Sequence, residues 1–195
     1  FTKYTSTGWI YLRTVKVISD MDLSVIPECY IDTNLVETLV PPQRGYNHQK
    51  GCGTVTKVMK EHFADNFALG IVDKDKKELD YLNEFDLVLA KGNLELHKHK
   101  ARNHFIIRVV PAIERFILHN VNAAGINLED FGIPSDFDRF RKTTKTVNSK
   151  KDERFKQLFR ELRRRNLAEL ELLSAIINYL VAHPYDSDIA ALQTI

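Results

Sequence analysis

Three acidic residues follow two apolar segments of the chain at the points where those segments end. Asp32 comes directly after "CYI", and Asp73 comes directly after "ALGIV", with Asp75 two residues later. Residues i and i+2 of a strand point to the same side, so a chain that stays extended past Val72 places Asp73 and Asp75 together. A further acid, Glu37, lies five residues after Asp32. Two segments therefore offer four carboxylates to one site.

The chemistry of four neighbouring carboxylates requires a positive charge between them, because like charges at short range repel. Mg²⁺ and Mn²⁺ are hard cations that prefer oxygen ligands, and they can orient phosphate oxygens and activate water. We therefore predict an Mg²⁺ or Mn²⁺ site whose ligands and catalytic acids are Asp32, Glu37, Asp73 and Asp75. Helix capping is the competing interpretation, since an Asp at a strand end often caps the next helix and "DKDKKELDYL" contains a helix start.

The elements that must position these acids alternate between strand and helix. Strands are predicted in "GWIYLRTVKVI", at 29–31, at 68–72, in "DLVLA" and in "NHFIIRVVP". Helices are predicted at 34–40, 54–63 and 77–85. This order predicts an α/β fold with a mostly parallel central sheet and flanking helices. The carboxyl ends of neighbouring parallel strands lie together and are where ligands collect, so we expect the acids to meet at one edge.

The second part of the chain has helical spacing on both sides of a polar connection, "INLEDFGIPSDFDRFRKTTKTVNSKKDE". "AIERFILHNVNAAG" predicts a helix that ends near Gly125, and "RFKQLFRELRRRNLAELELLSAIINYLVAH" predicts a long helical stretch with a break near Asn166 and an end at Pro184. We place an α/β core at residues 1–125. Residues 126–195 are predicted to form a helical, basic C-terminal extension packed on that core.

Charge is distributed unevenly although the net charge is only +2. Residues 139–165 hold twelve Lys or Arg and three Asp or Glu, whereas residues 1–138 hold sixteen and nineteen. A basic block beside an acidic body predicts contact with a polyanion such as DNA or RNA, and a solvated helix surface is an equally good interpretation. The candidate nucleic-acid contacts are Lys74, Lys76, Arg163, Arg164 and Arg165.

Composition and length favour an ordinary globular protein. The 195 residues, 44% of them hydrophobic, suffice for one sizeable core. No apolar run approaches the roughly 18 residues that span a membrane, and two cysteines cannot form a disulfide scaffold. The first residues carry no secretory signal pattern. We therefore expect a cytoplasmic protein without a membrane segment.

The two acidic motifs resemble those of the Toprim nuclease group, especially the small stand-alone or OLD-nuclease-like Toprim domains. "YIDTNLVETL" is similar to the first element of that fold, which carries an acid after strand one, and "LGIVDKD" is similar to its Asp-x-Asp after a later strand. "GCGTVTKVM" resembles the glycine-led helix start between them. "PAIERFIL" resembles a helix with a Glu that follows the core in some of these nucleases, which implies Glu114 as a further metal ligand.

The resemblance covers residues 26–118 and departs from the family at one point. The usual first acid is a Glu followed by Gly, whereas Asp32 is followed by Thr33, so Asp32 and Glu37 both remain candidates for the working acid. The resemblance implies a Toprim-like fold and a metal-dependent nuclease that cleaves phosphodiesters. It also implies an ATPase partner protein and a role in anti-phage defence.

Two other functions remain open. "YIDTN" also resembles the start of PIN-domain ribonucleases, although an Asp-x-Asp after the middle strand is less typical of them. Alternatively, the chain is a non-catalytic adaptor whose acidic cluster is inactive and whose basic helical tail binds a partner protein. The sequence also leaves open whether the chain forms a homo-oligomer.

Overall fold

The computed structural model describes residues 22–74 and 80–195. Its strands are β1 (Val25–Pro27), β2 (Ala68–Asp73), β3 (Phe85–Lys91), β4 (Leu94–His99) and β5 (His104–Val109). Its α-helices are α1 (Tyr30–Leu39), α2 (Cys52–His62), α3 (Ile113–Ala123), α4 (Phe137–Thr144), α5 (Glu153–Arg164), α6 (Ala168–Ala182) and α7 (Ile189–Thr194). Short 3-10 helices cover Asp80–Glu84, Leu128–Phe131 and Val147–Lys151.

The strands form one open five-stranded sheet in the order β1-β2-β5-β4-β3. The predicted α/β class is confirmed, and β1, β2 and β5 run parallel. The sheet is nevertheless mixed, because β3 and β4 are antiparallel to their neighbours. Only two residues join β3 to β4 and only four join β4 to β5, and connections this short allow antiparallel pairing alone. We predicted no strand for "LELHKH", which forms β4.

The first strand among the described residues lies earlier in the chain than the strand predicted at 29–31. Strand β1 ends at Pro27, and Asp32 lies in the first turn of α1 rather than after a strand. The reason is a reciprocal cap. The Cys29 backbone N–H donates to Asp32 Oδ2 at 3.0 Å, and the Asp32 backbone N–H donates to Cys29 Sγ at 3.5 Å. This cap starts the helix within the apolar "CYI" run.

Other predicted elements agree with the structure to within a few residues. Helix α2 covers most of 54–63, α3 ends just before Gly125, and the long C-terminal stretch divides into α5 and α6 at Asn166, whose φ is +52°. Of the helix predicted at 77–85, residues 80–84 form a 3-10 helix and β3 begins at Phe85. The strand predicted in "GWIYLRTVKVI" lies outside the described residues.

The sheet separates two layers of helices. On one face, Leu69 and Phe105 pack in a large core with α1, α3, α5 and α6, so the C-terminal helices share the main core of the protein. On the other face, α2 packs on β2. A Cβ at Gly70 would lie 3.0 Å from Met59 Sδ and 3.1 Å from Val55 Cγ1, so glycine at this position lets α2 approach the strand closely.

A buried amide fixes the basic connection to α1. Asn34 is fully buried, and its Nδ2 donates to the backbone oxygens of Ser149 at 2.7 Å and Asp152 at 3.2 Å. The 3-10 helix Val147–Lys151 and the start of α5 are thereby held against α1. The basic block is consequently docked beside the helix that carries Asp32.

Replacing Asn34 with Ala should destabilise the protein, because two buried carbonyl oxygens lose their donor. The expected loss in the free energy of unfolding is about 1–3 kcal/mol, measured by urea denaturation. Asn148→Ala is the matched control, since Asn148 is exposed in the same connection and should change stability by less than about 0.5 kcal/mol. Equal effects of the two substitutions would show that the Asn34 hydrogen bonds do not hold the connection.

Candidate functional site: an acidic cluster at the strand ends

Two parallel strands end side by side, and an acidic residue lies at the end of each. Glu28 follows β1 directly, and Asp73 is the last residue of β2. The Glu28 backbone N–H donates to Ile71 O at 2.9 Å, and the Asp73 backbone N–H donates to Glu28 Oε2 at 3.0 Å. Sequence reasoning missed Glu28 because it placed the first strand too late. The apolar run "VIP" immediately before Glu28 was the signal that could have identified it.

The carboxylate of Asp32 lies in the interior, with only 2% of the residue exposed. Its Oδ2 accepts from the Cys29 N–H, whereas its Oδ1 is buried and has no hydrogen-bond partner within the described part of the chain. Burial raises the pKa of Asp32 well above the usual 3.8, and the negative charges of Asp73 and Glu28 raise it further. Asp73 and Glu28 therefore lie close enough to Asp32 for their charges to act on it, and the three acids form one cluster.

Asp73 is also tied to the start of helix α3. Its Oδ1 accepts from the Ile113 N–H at 2.8 Å, which supplies the cap that Ala112 at the N-cap position lacks. The positive end of the helix dipole stabilises a negative charge there. Glu114 is the next residue of α3, and it is buried with its Oε1 accepting from Thr144 Oγ1 at 3.1 Å. The structure thus brings Glu114 to the same helix end as Asp73 but directs one of its oxygens toward α4.

Glu37 takes part in a different set of contacts. It lies in the second half of α1, and its Oε1 accepts from the Tyr46 backbone N–H at 3.2 Å. It lies five residue steps along the helix from Asp32, about 7.5 Å along the axis. Glu37 lines a cavity of about 440 Å³ together with Lys156 and Arg160. Its side chain therefore belongs to the surface between α1 and α5.

A histidine that the sequence did not indicate lies beside the first turn of α1. His48 stacks on Tyr30, with ring centroids 4.4 Å apart. Thr33 Oγ1 donates to Cys29 O at 2.8 Å, so at 3.0 Å it accepts from His48 Nδ1, and the proton of the neutral ring is on that nitrogen. Burial, and then the charge of Lys150, lower the pKa of His48. A neutral imidazole therefore lies beside the helix that carries Asp32.

The donor chemistry of the cluster suits Mg²⁺ or Mn²⁺, since its side chains offer carboxylate oxygens, and the unpartnered Oδ1 of Asp32 is an oxygen that a cation would satisfy. Within residues 22–74 and 80–195, no three His, Cys, Asp or Glu side chains are arranged as a ready set of metal ligands. Two of the predicted site residues, Asp75 and Lys76, lie outside the described residues.

Some of the basic residues predicted to contact nucleic acid already form ion pairs with acidic side chains of the chain. Lys74 Nζ lies 2.6 Å from Glu95 Oε1. Arg164 and Arg165 both pair with Glu161, at 2.7 and 2.8 Å. In the described part of the chain, the cations of block 139–165 that form no ion pair are Arg139, Arg141, Lys142, Lys145, Lys150, Lys151 and Arg163. The block thus keeps an excess of unpaired positive charge.

Comparison with models of protein families, with curated proteins and with solved structures found no match. Among the described helices, none combines the length and apolar character needed to cross a membrane. The functional argument therefore depends on the residues of the site itself.

The raised pKa of Asp32 has a consequence for stability that a pair of substitutions can measure. An acid whose folded-state pKa is raised contributes its full stability below its ordinary value of 3.8, and that contribution falls as pH rises toward the folded-state pKa. Asp32→Asn keeps an oxygen for the Cys29 N–H but removes the charge. In metal-free buffer it should raise the free energy of unfolding relative to wild type, by an amount that grows with pH.

Asp152→Asn is the control with the opposite sign. The hydrogen bonds from Arg154 lower the pKa of Asp152, so its stabilising contribution is present above 3.8 and is lost as pH falls through the folded-state pKa. This variant should be less stable than wild type at neutral pH. Urea denaturation across pH 4–8 in EDTA measures the stability of both variants. If Asp32→Asn is less stable than wild type at neutral pH, the acid only caps α1.

Proposed function

We propose that this protein is a metal-dependent nuclease of Toprim type that cleaves phosphodiester bonds in DNA or RNA with Mg²⁺ or Mn²⁺. The observation that carries the proposal is the cluster of Glu28, Asp32 and Asp73. Its acids come from the ends of two adjacent parallel strands and from the helix that follows the first of them. One buried oxygen of Asp32 lacks a partner in the described structure.

The energetics of the cluster favour a functional site. Burying a carboxylate is costly, and placing a second negative charge beside it adds to that cost, as the raised pKa of Asp32 reflects. Strongly perturbed groups with a specific charged neighbour are concentrated at functional sites. A divalent cation among the three acids would offset both the burial and the repulsion.

The family pattern supports the same assignment once the first strand is placed correctly. The first Toprim acid is a Glu after strand one, and Glu28 occupies that position, with Cys29 where the family has Gly. Asp73 and Asp75 supply the Asp-x-Asp after a later parallel strand. We propose Glu28, Asp32, Asp73 and Asp75 as the metal-holding acids, with Glu114 beside them. Glu37 is left out of this set because it accepts from the Tyr46 N–H and lines the cavity between α1 and α5.

A bound Mg²⁺ or Mn²⁺ would supply an activated water and neutralise charge on the phosphate. The chain's own contribution is to hold the acids. The start of α3 fixes the side chain of Asp73, and the Asp73 N–H fixes that of Glu28. The basic block beside α1 would hold the nucleic-acid backbone. The ATPase partner, the role in anti-phage defence and the cytoplasmic location remain parts of the proposal that the family resemblance suggests.

A non-catalytic adaptor is the second candidate, and two observations favour it. Within the described residues no three potential ligands form a ready metal site, and Asp73 has a structural task as the cap of α3. In this alternative the acids organise the strand ends and the basic helices bind a partner protein.

Substitution of the cluster should separate these candidates. Glu28→Gln and Asp73→Asn keep the size of the side chains and should each lower Mn²⁺-dependent cleavage of plasmid, single-stranded DNA or RNA by more than about 100-fold, since even outer-shell partners of a metal are worth 10–100-fold. Glu37→Gln is the matched control and should retain near wild-type activity.

A thermal-shift titration with Mn²⁺ accompanies this assay. Wild type and Glu37→Gln should gain stability with the metal, because it binds only the folded state, and the two cluster variants should not. Wild-type protein that neither binds Mn²⁺ nor cleaves any of the three substrates would favour the adaptor. Full activity in Glu28→Gln would remove Glu28 from the site.

The basic block makes a separate prediction about binding. If Arg164 and Arg165 contact phosphates, Glu161→Gln should strengthen nucleic-acid binding, because it releases both arginines from their ion pairs. Replacing Arg163, Arg164 and Arg165 with Ala should weaken binding to all sequences alike and reduce the slope of log K against log salt by about 0.9 for each duplex phosphate that is no longer neutralised. Identical slopes in all three proteins would place this end of α5 outside the substrate path.

A further inference from the structure

A second polar cavity lies on the opposite face of the sheet from the acidic cluster. It has a volume of about 250 Å³ and is lined by Leu82, Asn83, Phe85, His97 and Arg108. Its side of the sheet follows from the register of β2 and β5. Asp73 pairs with Val109, which packs in the main core, and successive strand residues point to opposite faces. Arg108 therefore points away from the main core, toward the α2 side.

Arg108 is a largely buried cation, and one of its donors, Nε, lacks an acceptor among the described residues. Its side chain is 13% exposed, its Nε is buried without a hydrogen-bond partner in the described part of the chain, and its nearest ion-pair contact is Glu95 Oε2, 4.0 Å from NH1. A guanidinium stays charged in proteins and carries five N–H donors. Leaving such donors unpaired away from water is costly, so the site favours an anion.

Glu95 does not meet that demand, because other groups already use it. Lys74 Nζ lies 2.6 Å from its Oε1, and His97 Nε2 lies 3.3 Å from its Oε2. Burial lowers the pKa of His97, which keeps the ring neutral near pH 7. Two cations, Lys74 and Arg108, therefore face one carboxylate. Among the described residues that line the cavity, Arg108 is the one with a permanent charge.

The size and lining of the cavity limit the size of the molecule to which a bound anionic group can belong. At about 250 Å³ it is smaller than the roughly 300–1,000 Å³ pockets of drug-sized ligands, so it takes one phosphate with part of one nucleotide rather than an oligonucleotide. Arg recognises phosphate through two parallel N–H donors, and the Asn83 amide can donate to a further oxygen. Leu82 and Phe85 provide an apolar wall for a sugar or base.

We propose that Arg108 and Asn83 bind the phosphate group of a single nucleotide in this cavity, with Leu82 and Phe85 against its sugar or base. The ligand is a nucleoside monophosphate or the terminal phosphate of a nucleic-acid strand, which share this chemistry. The site stands independently of the acidic cluster, because it uses different residues on the other face of the sheet and requires no metal.

Calorimetric titration of the full chain in EDTA tests the site. Adenosine monophosphate and inorganic phosphate should bind, and adenosine should not. Asn83→Asp should lower the affinity for the monophosphate at least tenfold, because it places a negative charge in the cavity wall. Asn83 is exposed, so this variant should fold normally. Arg108→Lys should also weaken binding at least tenfold, since it keeps the charge but loses the paired donors. Arg44→Lys, at an exposed position between α1 and α2, is the control and should bind as wild type does.

Oligonucleotides with a terminal phosphate or a terminal hydroxyl then distinguish the two sources. Tighter binding of the phosphorylated strand, lost in Asn83→Asp, assigns the site to strand ends, and binding of the monophosphate alone assigns it to free nucleotides. Wild-type protein that binds neither phosphate nor the monophosphate at millimolar concentration overturns the proposal. The proposal is also overturned if adenosine binds as tightly as adenosine monophosphate, or if Asn83→Asp and Arg108→Lys both bind the monophosphate as wild type does. Nuclease activity in Mn²⁺ without phosphate binding in EDTA would overturn this site alone.

Discussion

The parallel pairing of β1 with β2 is the constraint on which the candidate site depends. It places Glu28 at the end of one strand beside Asp73 at the end of the next, and the hydrogen bond from the Asp73 N–H to Glu28 Oε2 joins the two. Asp32 reaches the same place because α1 begins only two residues after Glu28. A parallel pair brings like ends together, so acids distant in sequence become neighbours. The repulsion between these acids therefore follows from the parallel pairing of β1 with β2.

The protein tolerates this repulsion by giving backbone donors to the acids. Asp32 accepts from the first turn of its own helix, Asp73 accepts from the start of α3, and Glu28 accepts from the backbone of β2. Hydrogen bonds to ionised carboxylates are stronger than neutral ones, and a helix start adds a favourable dipole. A basic residue lies on the opposite face of the sheet at the same strand end. Lys74, one residue after Asp73, contacts Glu95 there. Negative and positive surfaces thus lie on the two sides of one strand end.

Much of the fold followed from local pattern, and the errors have identifiable causes. Helices α2 and α3, strand β2 and the break at Asn166 were predictable because each has a strong apolar period or a terminating residue. The first strand was misplaced because "VIP" and "CYI" are both short apolar runs, and the reciprocal cap between Cys29 and Asp32 decides between them. Strand β4 was missed because "LELHKH" has only two apolar residues, and the partners of its polar side, Arg108 among them, lie on the next strand.

By itself, the sequence determined the α/β class, the position of Asp73 at a strand end and the amphipathic face of α5, because these depend on residues close together in the chain. The tertiary structure alone decided which acids meet. It joined Glu28 to Asp73, placed Glu37 between α1 and α5, and left Arg108 buried with few partners. Strand order and register set these contacts, and a short strand such as β1 acquires its register only when the neighbouring strand is in place.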